Sequence, residues 1–268
     1  MPSAPLILLL IAALAGTARG AATPAAPRIE LRADEVTVRG GGEVIEARGS
    51  VRITDGRSVV RAGRARYSVR TRRIELAGGV AVDSSEGDLR AGRALLHLGA
   101  DRRITGVEAS EGAALTAGGR RLEAERVSYT IGGPSATASG NVRLRLPPDI
   151  VASGDRLTLR GAVAVLEGGA KVETAEGAIE GQTIEVAERD RTAFVRGGVR
   201  AAFGEMRITS NAATLYGRER RAVFRDNVTV VQPGRTMKAS LVTVFIDEKR
   251  LVAEGETTIR IDEERPGP

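Results

Sequence analysis

The sequence lacks cysteine and tryptophan and contains one histidine, His97. The absence of cysteine excludes a disulfide framework, thiol chemistry and cysteine-based metal sites. One histidine excludes a multi-histidine metal centre, and no clear Ser/His/Asp set is found around it, so we expect His97 to be an ordinary strand or turn residue. No Walker-type loop and no His-Glu-x-x-His motif is present. The sequence therefore predicts no enzymatic activity, no cofactor and no metal.

Aromatic residues are also scarce, at 3%, whereas glycine is abundant, at 33 residues. A filled core in a chain of 268 residues would ordinarily use more Phe and Tyr. The Ala, Val and Gly found instead favour a thin-walled structure or one with internal space. Hydrophobic residues at 42% and charged residues at 28% are typical of a chain that folds.

The formal charge of +6 is spread along the chain. It fits either an arginine-rich soluble surface or attraction to an acidic amphiphile or membrane surface. Nucleic acid is not an expected partner, because no recognition helix, zinc spacing or aromatic stacking motif is found. The densest basic stretch fits phosphate binding and a solvated edge about equally; it comprises Arg61, Arg64, Arg66, Arg70, Arg72 and Arg73.

The first residues have the form of a secretory signal peptide. An unbroken apolar run from Leu6 to Ala15 is followed by small residues, which allow cleavage after Gly20 or Ala22. The alternative is an uncleaved anchor, but the apolar segment is well short of the ~20 residues that span a bilayer. We expect residues 1–22 to be a cleaved signal peptide and residues 23–28 to be a short linker.

Two sequence markers recur through the rest of the chain with a period of about 29 residues. The first marker is Gly-small-Val, clearest at residues 49–51, 78–80, 140–142 and 197–199, with weaker copies starting at Gly112, Gly168, Asp226 and Gly255. The second marker is a small residue followed three and five positions later by mostly apolar residues. It is found at Ala33, Ala62, Ala91, Ala124, Gly154, Gly181, Ser210 and Ala239. Such repetition predicts about eight repeats over residues 29–261, followed by a polar tail at residues 262–268.

Each repeat is predicted to hold two strands. Residues 45–54 alternate between apolar and polar side chains, which is the period of a strand with one buried face. The apolar phase shifts by one residue between Ala62 and Ala65, and a recurring shift of this kind indicates a β-bulge. Polar turns separate the strands. The sequence therefore predicts about 16 mostly antiparallel strands and no amphipathic helix of ten residues or more after residue 22.

Residues 31–38, 45–54 and 73–80 resemble the OstA-like family, with the closest likeness at Ser139–Val142 and Asp226–Thr229. The resemblance extends over residues 29–261. It implies an antiparallel β-jellyroll (β-taco) with an apolar interior groove that holds the acyl chains of lipopolysaccharide in the Gram-negative periplasm. It also implies transport between the inner and outer membranes, with other OstA-like transport proteins as partners and head-to-tail self-association.

The predicted ligand-binding residues share an apolar, inward-facing position, and many neighbouring inward positions are small enough to leave room for acyl chains. They are Val51, Ile53, Ala62, Tyr67, Leu76, Val80, Leu122, Tyr129, Leu144, Leu159, Val199 and Val228. Residues 29–38 and 256–261 are the expected edge strands.

Three functions remain open at this point. The first is lipid transfer as a periplasmic bridge or chaperone. The second is a structural β-solenoid with a filled interior, which would not take up a fluorescent acyl probe. The third is an LptC-like component anchored in the inner membrane, which the mass of the mature N-terminus would reveal.

Overall fold

The computed structural model describes residues 29–54, 58–84, 87–131, 133–187 and 189–261. The expected signal peptide, linker and polar tail lie outside the described residues. Eighteen β-strands make up most of the described chain. They are β1 (Glu30–Arg32), β2 (Glu35–Arg39), β3 (Val44–Thr54), β4 (Ser58–Ser68), β5 (Arg73–Ser84), β6 (Gly87–Leu98), β7 (Ile104–Ala117), β8 (Arg120–Thr130), β9 (Ser135–Leu146), β10 (Ile150–Arg160), β11 (Val163–Thr174), β12 (Gly177–Ala187), β13 (Thr192–Phe203), β14 (Met206–Tyr216), β15 (Arg221–Gln232), β16 (Arg235–Phe245), β17 (Arg250–Glu254) and β18 (Thr258–Ile261).

The predicted all-β, antiparallel fold is confirmed. Strands β3 to β8 pair antiparallel in sequence order, and so do β11 to β16. The described chain has two more strands than the predicted 16, because the first and the last predicted strands are each divided into two shorter strands. Strands β1 and β2 both pair with β3, and β17 and β18 both pair with β16. Gly255, with φ +84°, lies at the second division.

The strands fall into two compact units. The first unit contains residues 29–144 and 158–161, and the second contains residues 145–157 and 162–261. Bulged strand pairs recur in both units. That residues 29–261 form one continuous repeat domain stays a prediction.

The Gly-small-Val marker is a β-bulge. In the pairing of β3 with β4, Gly49 and Ser50 together lie opposite the single residue Gly63. Both bulge residues have positive φ, +70° and +45°, a conformation that glycine adopts freely and that costs other residues energy. The predicted bulge is present, but its extra residue lies on the strand of the first marker, at Gly49–Ser50, and not between Ala62 and Ala65, where the phase shift placed it. We call the whole series the bulge column. Its other members within the two units include residue pairs 78–79, 111–112, 168–169, 197–198 and 226–227.

One weak copy of the marker was placed one residue too late. The bulge of β7 is formed by Glu111 and Gly112, and the inward residue after it is Ala113. Glu111 itself has φ +64°. The sequence pattern hides this copy because glycine occupies the second bulge position and a charged residue the first.

The two sequence markers meet across each hairpin. Val51 lies opposite Ala62, Val80 opposite Ala91, and Val228 opposite Ala239. The small residue of the second marker thus faces the residue that follows each bulge. The two markers therefore have the same period because each copy of one is paired with a copy of the other.

Four rows of apolar residues form one face of the first unit, here called its interior face. The two rows beside the bulge column hold many small residues, and the two outer rows are mostly larger. The inner rows are Ala47, Ala65, Leu76, Ala94, Ala109 and Val127, and Val51, Ala62, Val80, Ala91, Ala113 and Ala124. The outer rows are Ile45, Tyr67, Ile74, Leu96, Val107 and Tyr129, and Ile53, Val60, Val82, Leu89, Leu115 and Leu122.

The second unit repeats this arrangement with a different distribution of side-chain size. Its row just before the bulges carries larger residues, with Phe224 fully buried among them. This row comprises Leu166, Ile184, Val195, Ala213, Phe224 and Val242.

Candidate functional site: the interior face and an outer cleft

The interior face contains most of the predicted ligand-binding residues in buried positions. Ten of the twelve are 7% exposed or less, and Tyr67 and Tyr129 are half-buried. Nine of the twelve lie on β3 to β9 of the first unit, and Leu159 belongs to the same unit. Val199 and Val228 lie in the second unit, each directly after a bulge. Their contact with a ligand stays a prediction.

The interior face is closed in this conformation. Apart from Ile45, Tyr67 and Tyr129, each residue of the four rows in the first unit is 8% exposed or less. Because a bulge bends a strand, the rows on its two sides form two arms of one bent sheet. An acyl chain can reach the small residues between these arms only if the arms separate.

Both ends of the strand series leave apolar side chains uncovered. Val36 of β2 lies opposite buried Ala47 and is 47% exposed, and Val38 is 60% exposed. At the other end, Ile259 and Ile261 of β18 are 55% and 74% exposed. Strand β2 pairs with β3 and strand β18 with β16, and these exposed side chains lie on the two strands predicted to be edges.

A cleft on the opposite, exposed face of the first unit was not predicted as a site. It has a volume of about 820 Å³ and crosses strands β3 to β8, with two residues of β9. We call it the outer cleft. One wall is the row Arg48, Arg64, Ala77, Arg93, Ser110 and Arg126, and the other includes Glu46, Arg66, Glu75, Leu95, Glu108 and Ser128.

The charges along the outer cleft are only partly paired. Arg93 Nε lies 2.9 Å from Glu111 Oε1, and Arg66 Nε lies 3.9 Å from Glu46 Oε1. Arg48 lies directly opposite Arg64 in the strand register. In the part of the chain that the structure describes, neither of these two arginines forms an ion pair with a carboxylate.

The repeat contains a signal that could have located this cleft. An arginine follows the second marker by two positions in four successive repeats, at Arg64, Arg93, Arg126 and Arg156, and the first three of these line the cleft. Of these, only Arg64 belongs to the dense basic stretch identified in the sequence. Within that stretch, Arg61 pairs with Asp83, while Arg64 and Arg66 line the cleft.

His97 lies on β6, and its Nε2 is 2.7 Å from Glu108 Oε1. It is a strand residue, as expected. Among the described residues no cluster of acidic or histidine side chains is suited to hold a metal ion. No helix in the same residues is long and apolar enough to cross a membrane.

The bulged antiparallel repeats and the one-sided apolar face define an all-β repeat protein. Residues 207–265 match the family model described as "LptA/(LptD N-terminal domain) LPS transport protein", so the family resemblance is confirmed over this stretch. The matched residues begin in β14 and include β15 to β18.

One solved structure similar to this chain is LptH from Pseudomonas aeruginosa, described as the LptA-homologous periplasmic component of the lipopolysaccharide transport device. The two chains are 14% identical, and the similarity covers 54% of this chain and 95% of LptH with a TM-score of 0.27. A search of curated proteins found no match.

Proposed function

We propose that the chain is a periplasmic carrier that binds the acyl chains of lipopolysaccharide against its interior face. It passes lipopolysaccharide between the inner and outer membranes, either as a chaperone or as part of a bridge. The family match at residues 207–265 supports the class of cargo. The observation that carries the proposal is the set of unbroken apolar rows across β3 to β8, because a cargo held by such rows needs no polar site.

The energetics of this interior suit an acyl cargo. Each methylene group removed from water contributes about 0.8 kcal/mol, so a few acyl chains supply enough affinity to separate the two arms. The small residues beside the bulge column, such as Ala94 and Ala109, leave the most space for chains once the arms open. The larger outer rows then cover the chains from water.

The uncovered apolar edges support head-to-tail assembly. Val36 and Val38 extend interior rows beyond β3, and a strand added to β2 would continue both the rows and the backbone pairing. An edge strand from a second copy or from another OstA-like transport protein fits this role. A head-to-tail contact does not close on itself, so filaments are the expected product.

Export through a cleaved signal peptide completes the proposal, since it delivers the chain to the periplasm. Fractionation followed by mass spectrometry of the mature N-terminus tests this step. Cleavage after Gly20 or Ala22 is the expected result. An intact Met1 in the cytoplasm would refute the localisation, and an intact N-terminus held in the inner membrane would identify the LptC-like alternative.

Site-specific photocrosslinking tests the cargo directly. A photoreactive phenylalanine derivative replaces Tyr129, which is half-buried at the end of an interior row, and the neighbouring Thr130 serves as the exposed control. We expect lipopolysaccharide to crosslink at position 129 and not at position 130. Equal labelling at both positions, or none at 129, would contradict binding at the interior face.

A second function is favoured by the closed interior. With all but three residues of the four rows at 8% exposure or less, the molecule also fits a structural β-solenoid whose apolar face is its core. Delipidated protein separates the two functions. A carrier takes up a fluorescent acyl probe that lipopolysaccharide displaces, whereas a filled solenoid takes up none.

A further inference from the structure

We propose that the outer cleft of the first unit binds the phosphate groups of an anionic ligand that carries several of them. The cleft opens on the exposed face of the sheet, and its lining also includes the row Ala47, Ala65, Leu76, Ala94, Ala109 and Val127, whose side chains are buried on the interior face. The arginine side chains therefore bind from the side opposite the proposed acyl site, and the proposal does not depend on acyl binding.

Five arginines and three glutamates, Glu46, Glu75 and Glu108, line the cleft, so its lining has an excess of positive charge that lies in the arginine row. Arg48 and Arg64 are direct cross-strand neighbours, and like charges in this position destabilise a sheet unless an anion lies between them. Arg126, at the other end of the row, is likewise without an ion pair among the described residues. The row contains no acidic residue, since Ala77 and Ser110 occupy its two remaining positions.

The chemistry of the lining suits phosphate. Guanidinium groups present paired N–H donors that match phosphate oxygens, and these charge-assisted hydrogen bonds are among the strongest in proteins. Hydroxyl donors also line the cleft, at Ser110, Ser128, Thr137 and Ser139. Its volume of about 820 Å³ lies within the range typical of small-ligand sites.

The spacing of the arginines indicates an extended ligand. Arg64, Arg93 and Arg126 lie on β4, β6 and β8, which are alternate strands. Neighbouring strands are about 4.8 Å apart, so successive arginines of this series repeat at intervals of about 10 Å. Several phosphates along one molecule, or several lipid head groups at a surface, can match this interval.

The second unit provides a comparison within the same chain. The equivalent row there is Glu167, Thr183, Arg196, Ala212, Arg225 and Leu241. It mixes one acid with two arginines and ends in the apolar residue Leu241. The repeat architecture therefore does not require four arginines in this row, and their concentration in the first unit points to a ligand.

Binding of two phosphate probes to the full chain tests the proposal. The probes are inorganic tripolyphosphate in solution and vesicles of phosphatidylglycerol with phosphatidylcholine, compared with phosphatidylcholine alone. The test variant is R48Q/R64Q. The control is R52Q/R90Q, which makes the same charge change at exposed positions of β3 and β6 outside the cleft.

We expect R48Q/R64Q to weaken binding about tenfold or more, because two charge-assisted contacts are lost, while the control changes it little. Its thermal midpoint without ligand should equal or exceed that of the wild type, since a like-charge pair is removed. Tripolyphosphate binding alone identifies a soluble phosphate ligand, and vesicle binding alone identifies lipid head groups. Equal losses in both variants, or no binding of either probe, would overturn the proposal, whatever the crosslinking at position 129 shows.

Discussion

At the scale of single residues, the strongest constraint on this chain is the backbone of the bulge column. Two successive residues with positive φ are found at each of these bulges, and the sequence supplies Gly-Gly, Gly-Ser, Gly-Asn, Asp-Asn or Glu-Gly. A side chain at the first bulge position would also lie close to the preceding strand. A Cβ atom on Gly78 would lie 3.3 Å from the Cα of Gly63. The repeated marker is therefore explained by conformation and close approach rather than by ligand binding.

Asn141 tests this explanation. Its φ is +49°, and its side chain makes only an exposed hydrogen bond to Glu125. Asn141→Val places a β-branched residue in the left-handed region, which costs at least about 1–2 kcal/mol. We expect the thermal midpoint to fall by several degrees. Asn141→Gly is the matched control and should leave it nearly unchanged, whereas equal losses for both would show that the asparagine side chain matters.

Val51 tests the interior face at the same scale. It is 2% exposed and follows the first bulge directly. Val51→Arg buries a charge with no partner, which costs several kcal/mol, so we expect loss of folding or of acyl-probe uptake. Val69→Arg makes the same change at an exposed position beside β4 and should be tolerated. Intact folding and uptake in Val51→Arg would count against a dry interior.

At the scale of elements, the terminal strands β2 and β18 differ from the other described strands because they carry the four most exposed large apolar side chains, Val36, Val38, Ile259 and Ile261. Exposed strand edges are templates for pairing, and charged residues are the usual protection. Strand β18 instead exposes Ile259 and Ile261. An apolar, unprotected edge of this kind is expected where pairing with another chain is useful.

Charging this edge should shorten the oligomers. We expect I259K/I261K to shift concentration-dependent oligomers toward monomer in sedimentation experiments, because lysine opposes strand addition. Val231→Lys is the control, since Val231 is also exposed but lies on β15, which has neighbours on both sides. Ile259→Pro should act in the same direction, because proline removes a backbone donor. A strictly monomeric wild type at high concentration would refute self-assembly.

At the scale of the whole molecule, the proposed cargo must open an interior that is closed without it. Binding to the folded protein alone stabilises it by about 2.7 kcal/mol when free ligand exceeds its Kd a hundredfold. For a chain of this size we expect the thermal midpoint to rise by about 5–10 °C when delipidated protein receives lipopolysaccharide. A scan that shows no shift at saturating lipopolysaccharide would favour the structural solenoid.

The sequence was sufficient for the repeat, the bulges and the buried face, because each depends on local periodicity. The alternation around Val51 and the phase shift after Ala62 are direct consequences of strand geometry. The division of the terminal strands could not be predicted from the repeat. The outer cleft was missed because its walls join side chains from six strands, and Arg48 and Arg126 are far apart in the sequence.

The pairing of each strand with its sequence neighbours has a consequence for how the chain folds. In the hairpin of β3 and β4, paired residues range from Thr54 with Val59 to Val44 with Ser68, so no contact needs a distant segment. All-β proteins usually fold slowly because their pairings are remote, and this topology avoids that delay. A hairpin can close as soon as both of its strands are available, and the next strand then adds to a finished edge. Folding can therefore keep pace with a chain that emerges gradually from a narrow channel, with each new strand protected soon after it appears.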